Sequence, residues 1–164
     1  MAANMLEGIR RLIYALRPAA LDDVGLAAAL RGYIVDSLER SGVTIHVAEQ
    51  GPAKKMPEHV ELALYRIGQE ALNNVARHAR ANNVWITITH YDTIPHQGTV
   101  VRLTIRDDGI GFDPATIAGA VLRTRGIGLA GMRERANLIG GQVIIRSAPG
   151  NGTTLEVEVP IYNP

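Results

Sequence analysis

Two glycine-rich segments and one row of polar residues carry the side chains of this sequence that could do chemistry. The first segment, residues 107–112, reads Asp-Asp-Gly-Ile-Gly-Phe and follows an apolar run. The Asp108 carboxylate could accept a hydrogen bond from a purine amino group, and Gly109 and Gly111 would let the backbone pass close to the ring. This order of residues therefore indicates recognition of an adenine-like base.

The second glycine segment precedes a helical pattern. It reads Gly126-Ile127-Gly128-Leu129, and we expect its two glycines to form the N-terminus of that helix. Backbone N–H groups at a helix N-terminus have no partner within the helix and bind anions such as phosphate. The segment therefore predicts a phosphate contact.

Glu70, Asn74 and His78 form a row at four-residue steps in another helix-patterned segment. At 3.6 residues per turn these side chains drift by only about 40° per step, so they project from nearly one side of a helix. The Glu70 carboxylate can orient or deprotonate a water molecule, and the amide oxygen of Asn74 is a hard ligand that suits Mg²⁺. His78 and its neighbour Arg77 can donate hydrogen bonds to a phosphate.

Each feature also has an ordinary structural interpretation. The row could be a solvated helix face, residues 107–109 could form an Asp-Gly turn, and residues 126–132 could be a loop with a helix cap. Together, however, the three features supply the base, metal and phosphate contacts of one nucleotide. We therefore interpret them as a single nucleotide pocket.

Composition limits the class of protein. The 164 residues contain 17 Lys and Arg against 16 Asp and Glu, a formal net charge of +1, which argues against a nucleic acid partner. The sequence has no cysteine, which excludes a disulfide framework and a cysteine zinc site and is typical of a reducing, cytoplasmic setting. No apolar run is long enough to span a bilayer, so we expect no membrane contact by this chain.

Periodicity predicts the helices and strands. Apolar residues at steps of three and four indicate helices over residues 5–16, 57–75 and 127–139, and a further helix that starts after Asp22 or Asp23 and runs to Ser41-Gly42. Strand patterns cover residues 43–47, 84–90, 100–106, 142–147 and 153–160.

Two connecting segments carry their own predictions. Pro18 predicts a connector over residues 17–22, with Asp22 or Asp23 capping the helix that follows. Residues 113–125 are sparse in large apolar side chains, which predicts a mobile loop. The order of elements predicts an α/β (α+β) two-layer sandwich, a mixed and mostly antiparallel five-stranded sheet covered on one face by about three helices.

The motif-bearing segments resemble the N, G1 and G2 boxes and the terminal Gly-Thr of the superfamily that contains gyrase, heat-shock chaperones, histidine kinases and MutL. They are residues 70–78, 108–111, 126–129 and 152–153. Within this superfamily, the sequence is similar to bacterial sensor histidine kinases of the nitrate-sensor and desaturase-regulator subgroup. The segments that carry this similarity are residues 16–18, 21–26, 69–74 and 131–136.

The resemblance implies a Bergerat-type fold that binds ATP and Mg²⁺. The resemblance implies that Asp108 would bind the adenine amino group, that Thr153 would reach the base through water, and that Asn74 would hold Mg²⁺. Glu70 would be the acid–base residue. The further ATP contacts that it implies are Arg77, His78, Gly109, Gly111, Gly126, Ile127, Gly128 and Leu129. Residues 112–125 match the ATP lid in position, and Gly126 and Gly128 would be its hinge.

The sequence departs from this family at the phosphate acceptor. The family's accepting histidine lies on the first helix of a dimerisation hairpin, and no histidine precedes His46 in this sequence. We therefore expect residues 1–17 to be the tail of the hairpin's second helix, 18–25 a connector and 26–164 the ATP-binding catalytic domain. The partners implied for the homodimeric parent kinase are ATP, the histidine-bearing helix and a response regulator, and the sequence leaves membrane anchoring of that parent open.

Two alternatives stay open at this point. One is a serine kinase of the anti-sigma type, which shares the pocket but phosphorylates a serine of a partner protein. The other is a regulatory module that binds ATP without transferring phosphate.

Overall fold

The computed structural model describes residues 18–40, 42–52, 55–92, 98–118 and 125–161. The predicted helix over residues 5–16 lies outside these ranges. The helices are α1 (Ala19–Glu39), α2 (Glu58–Asn74), α3 (Pro114–Ala118) and α4 (Arg125–Leu138). The strands are β1 (Thr44–Gln50), β2 (Asn83–Asp92), β3 (Thr99–Asp107), β4 (Gln142–Ser147) and β5 (Thr153–Ile161).

The five strands form one mixed sheet in the order β1-β2-β3-β5-β4. Strands β1 and β2 are parallel, whereas the other three neighbouring pairs are antiparallel. Helix α1 packs on β1 and β2, α2 on β3 and β5, and α4 on β4. The predicted fold class, a mostly antiparallel five-stranded sheet with helices packed on it, is confirmed.

Strand alternation separates the two faces of the sheet. On the helix side Ile86, Leu103 and Val157 are completely buried, because successive side chains of a strand point to opposite faces and these three share one face. The helical stripes predicted from periodicity supply the other half of the core. Their buried members are Leu26, Leu30, Ile34, Leu38, Val60, Leu64, Ile67, Ala71, Leu72 and Val75.

The opposite face of the sheet carries polar and aromatic side chains. The Trp85 ring stacks on the His46 ring with centroids 5.4 Å apart, and the Arg106 guanidinium lies 5.0 Å from the Trp85 centroid. Further along, Arg102 donates from Nε to Glu158 at 2.7 Å. His46 therefore lies on the face away from the helices, where it stabilises the sheet surface.

The predicted connector before the second helix is wrong in part. Helix α1 begins at Ala19, directly after Pro18, and neither Asp22 nor Asp23 caps it. Proline restricts the residue before it and is compatible with the start of a helix, so Pro18 does not prevent helix formation after it. The break falls instead at Gly25, whose φ of 76° and ψ of 175° interrupt the helix.

None of the described helices is long and apolar enough to cross a bilayer.

We predict that Gly68→Ala lowers the free energy of unfolding by about 1–3 kcal/mol, because a side chain there overpacks the contact between α1 and α2. A Cβ at residue 68 would lie 2.6 Å from Leu30 Cδ2 and 2.9 Å from Cδ1, and Leu30 is completely buried. Gly32→Ala is the matched control, since its Cβ would have no atom within 4 Å, and it should gain about 0.5–1 kcal/mol. Urea unfolding measures both, and a Gly68→Ala variant as stable as the native chain would contradict this packing.

Candidate functional site

A cavity of about 630 Å³ lies where α2 and α4 meet the ends of β3, β4 and β5. This volume suits a small organic ligand such as a nucleotide. Its polar lining consists of Glu70, Asn74, Arg77, His78, Arg80, Asp107 and Thr153. Its apolar lining includes Ile105, Ile110, Phe112, Leu129, Met132, Ile145 and Leu155.

The C-terminal end of α2 presents the predicted polar row to this cavity. Glu70, Asn74 and His78 all line it, as does Arg77. Helix α2 passes at Val75–Ala79 into a π-helical turn, a wider turn that is frequently found at functional sites. Arg80 then takes the left-handed conformation, with φ of 51°, and ends the helical path. The three residues of the predicted row thus line one cavity, and their functional roles stay predictions.

The glycine-rich segment after β3 packs against the end of that π turn. The Ile110 N–H donates to the Ala79 carbonyl at 2.8 Å. A Cβ on Gly109 would lie 2.2 Å from the same carbonyl oxygen, so only glycine permits this approach. Gly109 is buried and packs on the π turn, whereas Gly111 lines the cavity. The sequence predicted that the backbone at Gly109 passes close to a ligand ring, but in the structure it passes close to the Ala79 carbonyl.

The two adjacent aspartates at the end of β3 have opposite surroundings. Asp107 lines the cavity and is only 4% exposed, whereas Asp108 is exposed and does not line the cavity. Asp107 continues the buried alternation of Leu103 and Ile105 on the helix side of the sheet. The prediction that Asp108 faces the pocket for the base is therefore wrong. Asp107 occupies the position that was expected of Asp108.

Asp108 holds the turn between the π segment and β2. Its Oδ1 accepts hydrogen bonds from the backbone N–H groups of Asn82 and Asn83, each at 2.8 Å. Its Oδ2 accepts from the Asn83 side-chain amide at 2.9 Å. The Asn83 amide and these backbone donors lower the pKa of Asp108. Together with the bond between Ile110 and Ala79, this clamp fixes the segment that carries His78 and Arg80 relative to β3.

The Asp107 carboxylate is held by backbone donors inside the protein. Burial raises the pKa of Asp107, and the N–H groups of Gly109 and Thr153 partly oppose that rise. The Gly109 N–H donates to its Oδ1 at 2.9 Å. A buried carboxylate with its neighbours fixed in this way is a directed acceptor at one end of the cavity.

Helix α4 borders the cavity from the other side. Its described part runs from Arg125 to Leu138 and includes Gly126 and Ile127. Gly128 and Leu129 follow and line the cavity. A Cβ on Gly128 would lie 2.3 Å from Glu70 Oε1, so the absence of a side chain leaves room for that carboxylate.

The segment between β3 and α4 differs from its prediction. A loop was expected over residues 113–125, but residues 114–118 form the short helix α3. Asp113 starts it, since its Oδ1 accepts from the Ala115 N–H at 2.9 Å as a helix cap does. Residues 119–124 lie outside the described part of the chain, so the lid and its hinge stay predictions.

Several cavity residues were not predicted from the sequence. Asp107 could have been found by counting strand alternation from Ile105, which places residue 107 on the inner face. The apolar lining residues carry no local motif, because they come from separate strands and helices that only the folded chain brings together. Arg80 was missed because no pattern in the sequence indicates its left-handed conformation.

Comparison with known proteins identifies the family. The model described as "Histidine kinase-, DNA gyrase B-, and HSP90-like ATPase" matches residues 59–163, so the chain belongs to this family. A similar protein is the signal transduction histidine-protein kinase/phosphatase DegS of Brevibacillus brevis, 38% identical over 161 residues, which cover 98% of this chain and 39% of DegS. Sensor histidine kinase MctS of Rhizobium johnstonii is 36% identical over 155 residues, which cover 94% of this chain and 32% of MctS.

The predicted class, the ATP-binding domain of sensor histidine kinases, is confirmed by the family match and these relatives. The finer subgroup and the division at residues 17 and 25 stay predictions. This chain spans less than two-fifths of the length of either relative.

Solved structures agree in fold. Full-length ShkA in complex with AMPPNP has a TM-score of 0.69 at 23% identity, over 85% of this chain and 30% of that chain. The histidine kinase domain from the Erythrobacter litoralis EL346 blue-light activated histidine kinase has a TM-score of 0.57 at 20% identity, over 82% of this chain and 60% of that chain.

We predict that Asp108→Asn lowers the free energy of unfolding by about 1–2 kcal/mol at neutral pH, because the clamp loses its charged acceptor. The pKa of Asp108 is lowered from 3.8 in the folded chain. The clamp therefore contributes fully above that pH and is lost as pH falls through the folded-state pKa.

Urea unfolding of both chains, at neutral pH and at acid pH values around 3.8 and below, measures this effect. The difference in the free energy of unfolding between the native chain and Asp108→Asn should become smaller at acid pH. Asp23→Asn, which removes an exposed carboxylate from α1, controls for the change in net charge. A difference between the native chain and Asp108→Asn that stays constant with pH would contradict the clamp.

Proposed function

We propose that this chain binds ATP together with Mg²⁺ and, within a longer kinase, transfers the γ-phosphoryl group to a histidine on a dimerisation helix. A response regulator would then receive the phosphoryl group on an aspartate. The observation that carries this proposal is one cavity that combines a buried acceptor, Asp107, with oxygen donors and cationic side chains from α2 and the π turn. The family match implies the ATP itself.

The base would lie at the Asp107 end of the cavity. Ile105, Ile145 and Leu155 supply an apolar surface there, and Asp107 supplies an acceptor held by the Gly109 N–H. A flat heteroaromatic ring buries its faces against apolar side chains while its polar edge needs a partner. The adenine amino group fits this combination as the donor to Asp107.

The metal would lie at the α2 end. Glu70 and Asn74 both line the cavity, and carboxylate and amide oxygens are the ligands that Mg²⁺ prefers. Within the described residues, no three His, Cys, Asp or Glu side chains cluster as a metal site. The donor set therefore fits an ion that arrives with the nucleotide and takes its other ligands from phosphate and water. When bound, Mg²⁺ would neutralise phosphate charge.

The phosphates would lie between these ends. Arg77, His78 and Arg80 line the cavity and can donate to phosphate oxygens. Phosphoryl transfer depends mainly on positioning and charge stabilisation, so these donors and Asn74 would supply most of what the reaction requires. We assign the acid–base role to Glu70, which would take the proton released by the attacking histidine.

The acceptor histidine would come from outside this chain. His46 stacks on Trp85 on the face of the sheet away from the helices, and His90 is 3% exposed within the sheet. Neither lines the cavity. The histidine-kinase relatives favour this reading over a serine kinase of the anti-sigma type.

We predict that Asn74→Ala abolishes most of the Mg²⁺-dependent gain in nucleotide affinity, because the ion loses a protein ligand. Phosphoryl transfer should fall about 100-fold, the usual cost of one transition-state contact. Asn73→Ala is the matched control. Asn73 bonds to the Tyr33 hydroxyl and does not line the cavity, so its loss should leave both quantities unchanged.

Calorimetry with a non-hydrolysable ATP analogue, with and without Mg²⁺, measures the affinity. Labelled ATP, with a histidine-bearing dimerisation hairpin from a relative supplied separately, measures transfer. Label should appear on the hairpin and not on this chain alone. Unchanged Mg²⁺ dependence in Asn74→Ala would contradict the metal assignment, and label on the isolated chain would contradict an external acceptor.

A further inference from the structure

The Ser147 hydroxyl is at the centre of a hydrogen-bond network beside the cavity. It donates to the Gly152 carbonyl at 2.9 Å and accepts from the Phe112 N–H at 2.9 Å. Its third partner is the Thr153 hydroxyl, with the two oxygens 3.0 Å apart. Since a hydroxyl has one proton and a carbonyl can only accept, a bond from Ser147 to Gly152 uses the only Ser147 proton.

The bond to Gly152 bears on the direction of the bond between the two hydroxyls. Either hydroxyl could donate in that pair, and the arrangement that also gives the Gly152 carbonyl a donor is the one in which Thr153 donates to Ser147. In that arrangement the Thr153 proton is used within the protein. Thr153 lines the cavity, and its hydroxyl then offers only lone pairs to a ligand.

Thr153 stands between Asp107 and Ser147 in the sheet. It is the direct register partner of Asp107 on β3 and of Ser147 on β4. Directly opposed residues of antiparallel strands have Cβ atoms about 4.5–5.5 Å apart, so the Asp107 and Thr153 side chains leave the sheet side by side, and both residues line the cavity. This end of the cavity thus has two neighbouring side chains with acceptor oxygens, and the bond between Ser147 and Gly152 leaves Thr153 as one of the two acceptors.

We propose that Ser147 is a positioning residue that holds the Thr153 hydroxyl as an acceptor, so that the cavity selects a purine with a six-amino group over one with a six-oxo group. An amino group has two protons, which can satisfy both acceptors. A carbonyl oxygen would face two acceptors with no donor between them, and unpaired polar groups of this kind are costly. This inference rests on the proposed binding of a nucleotide at this cavity.

Ser147→Ala tests the inference, with adenosine and inosine triphosphate as probes. The native chain should bind the adenine nucleotide about 10- to 100-fold more tightly, the range expected when a polar edge is mismatched. In Ser147→Ala the Thr153 hydroxyl is free to turn and donate to a six-oxo group. The ratio of the two dissociation constants should therefore fall about three- to tenfold.

Two further variants separate positioning from a general structural effect. In a Thr153→Val background, Ser147→Ala should leave the ratio unchanged, because the group through which Ser147 acts is already gone. Thr154→Ala is the matched control, since Thr154 follows Thr153 on β5 with its side chain on the opposite face. It should keep the native ratio. If Ser147→Ala does not fold, Ser147→Cys, whose thiol is a weaker donor and acceptor, should lower the ratio in the same direction.

Calorimetry on the whole chain, with circular dichroism to verify folding, gives the dissociation constants. A ratio that stays at the native value in Ser147→Ala or Ser147→Cys, while both affinities fall equally, overturns the role of Ser147 and leaves nucleotide binding intact. A ratio that falls equally in the native and Thr153→Val backgrounds also overturns it. A native chain that binds neither nucleotide overturns the proposed function and this inference together.

Discussion

The site depends on the alternation of side chains at the end of one central strand. Asp107 and Asp108 are adjacent, yet one carboxylate is buried in the cavity and the other is exposed beside the turn that leads into β2. The inner one is available to a ligand, and the outer one bonds to Asn82 and Asn83. A one-residue slip of β3 would exchange these environments and would remove both the acceptor and the clamp.

The clamp explains how distant segments form one cavity. Glu70 and Asn74 are separated from Asp107 by more than thirty positions in the sequence, and only the packing of α2 on the sheet brings them together. The bond from Ile110 to Ala79 fixes the π turn that follows α2 to the end of β3, and the three bonds to Asp108 fix the start of β2 there. Gly109 allows this close packing because it lacks a Cβ. In the glycine motif, Gly109 therefore has a structural role, whereas Gly111 lines the cavity.

Much of the architecture could be predicted from the sequence because its periodicities are strong. The β-branched runs that became β2 and β3, and the apolar stripe of α2, each specify one element and one buried face. The polar row from Glu70 to His78 was predictable for the same reason, since helical spacing places these residues on one side. The choice between Asp107 and Asp108 needed the parity of the strand, which the motif letters alone do not give.

Other features depend on tertiary contacts and had no local signal. The π turn at Val75–Ala79 replaces regular helix at the end of α2. The order of strands, with β5 between β3 and β4, is what places Thr153 beside Asp107. The Ser147 hydrogen-bond network follows from the same strand order. Neither the position of Thr153 nor this network could be predicted from the spacing of residues in the sequence.

Calorimetry of Asp107→Asn with a magnesium-bound, non-hydrolysable ATP analogue measures whether Asp107 is the acceptor for the base. Burial raises the pKa of Asp107, so a neutral amide avoids the cost of a buried charge and the variant should fold. The affinity should fall at least about tenfold, the effect of losing one charge-assisted hydrogen bond. An affinity equal to that of the native chain would show that Asp107 does not bind the base.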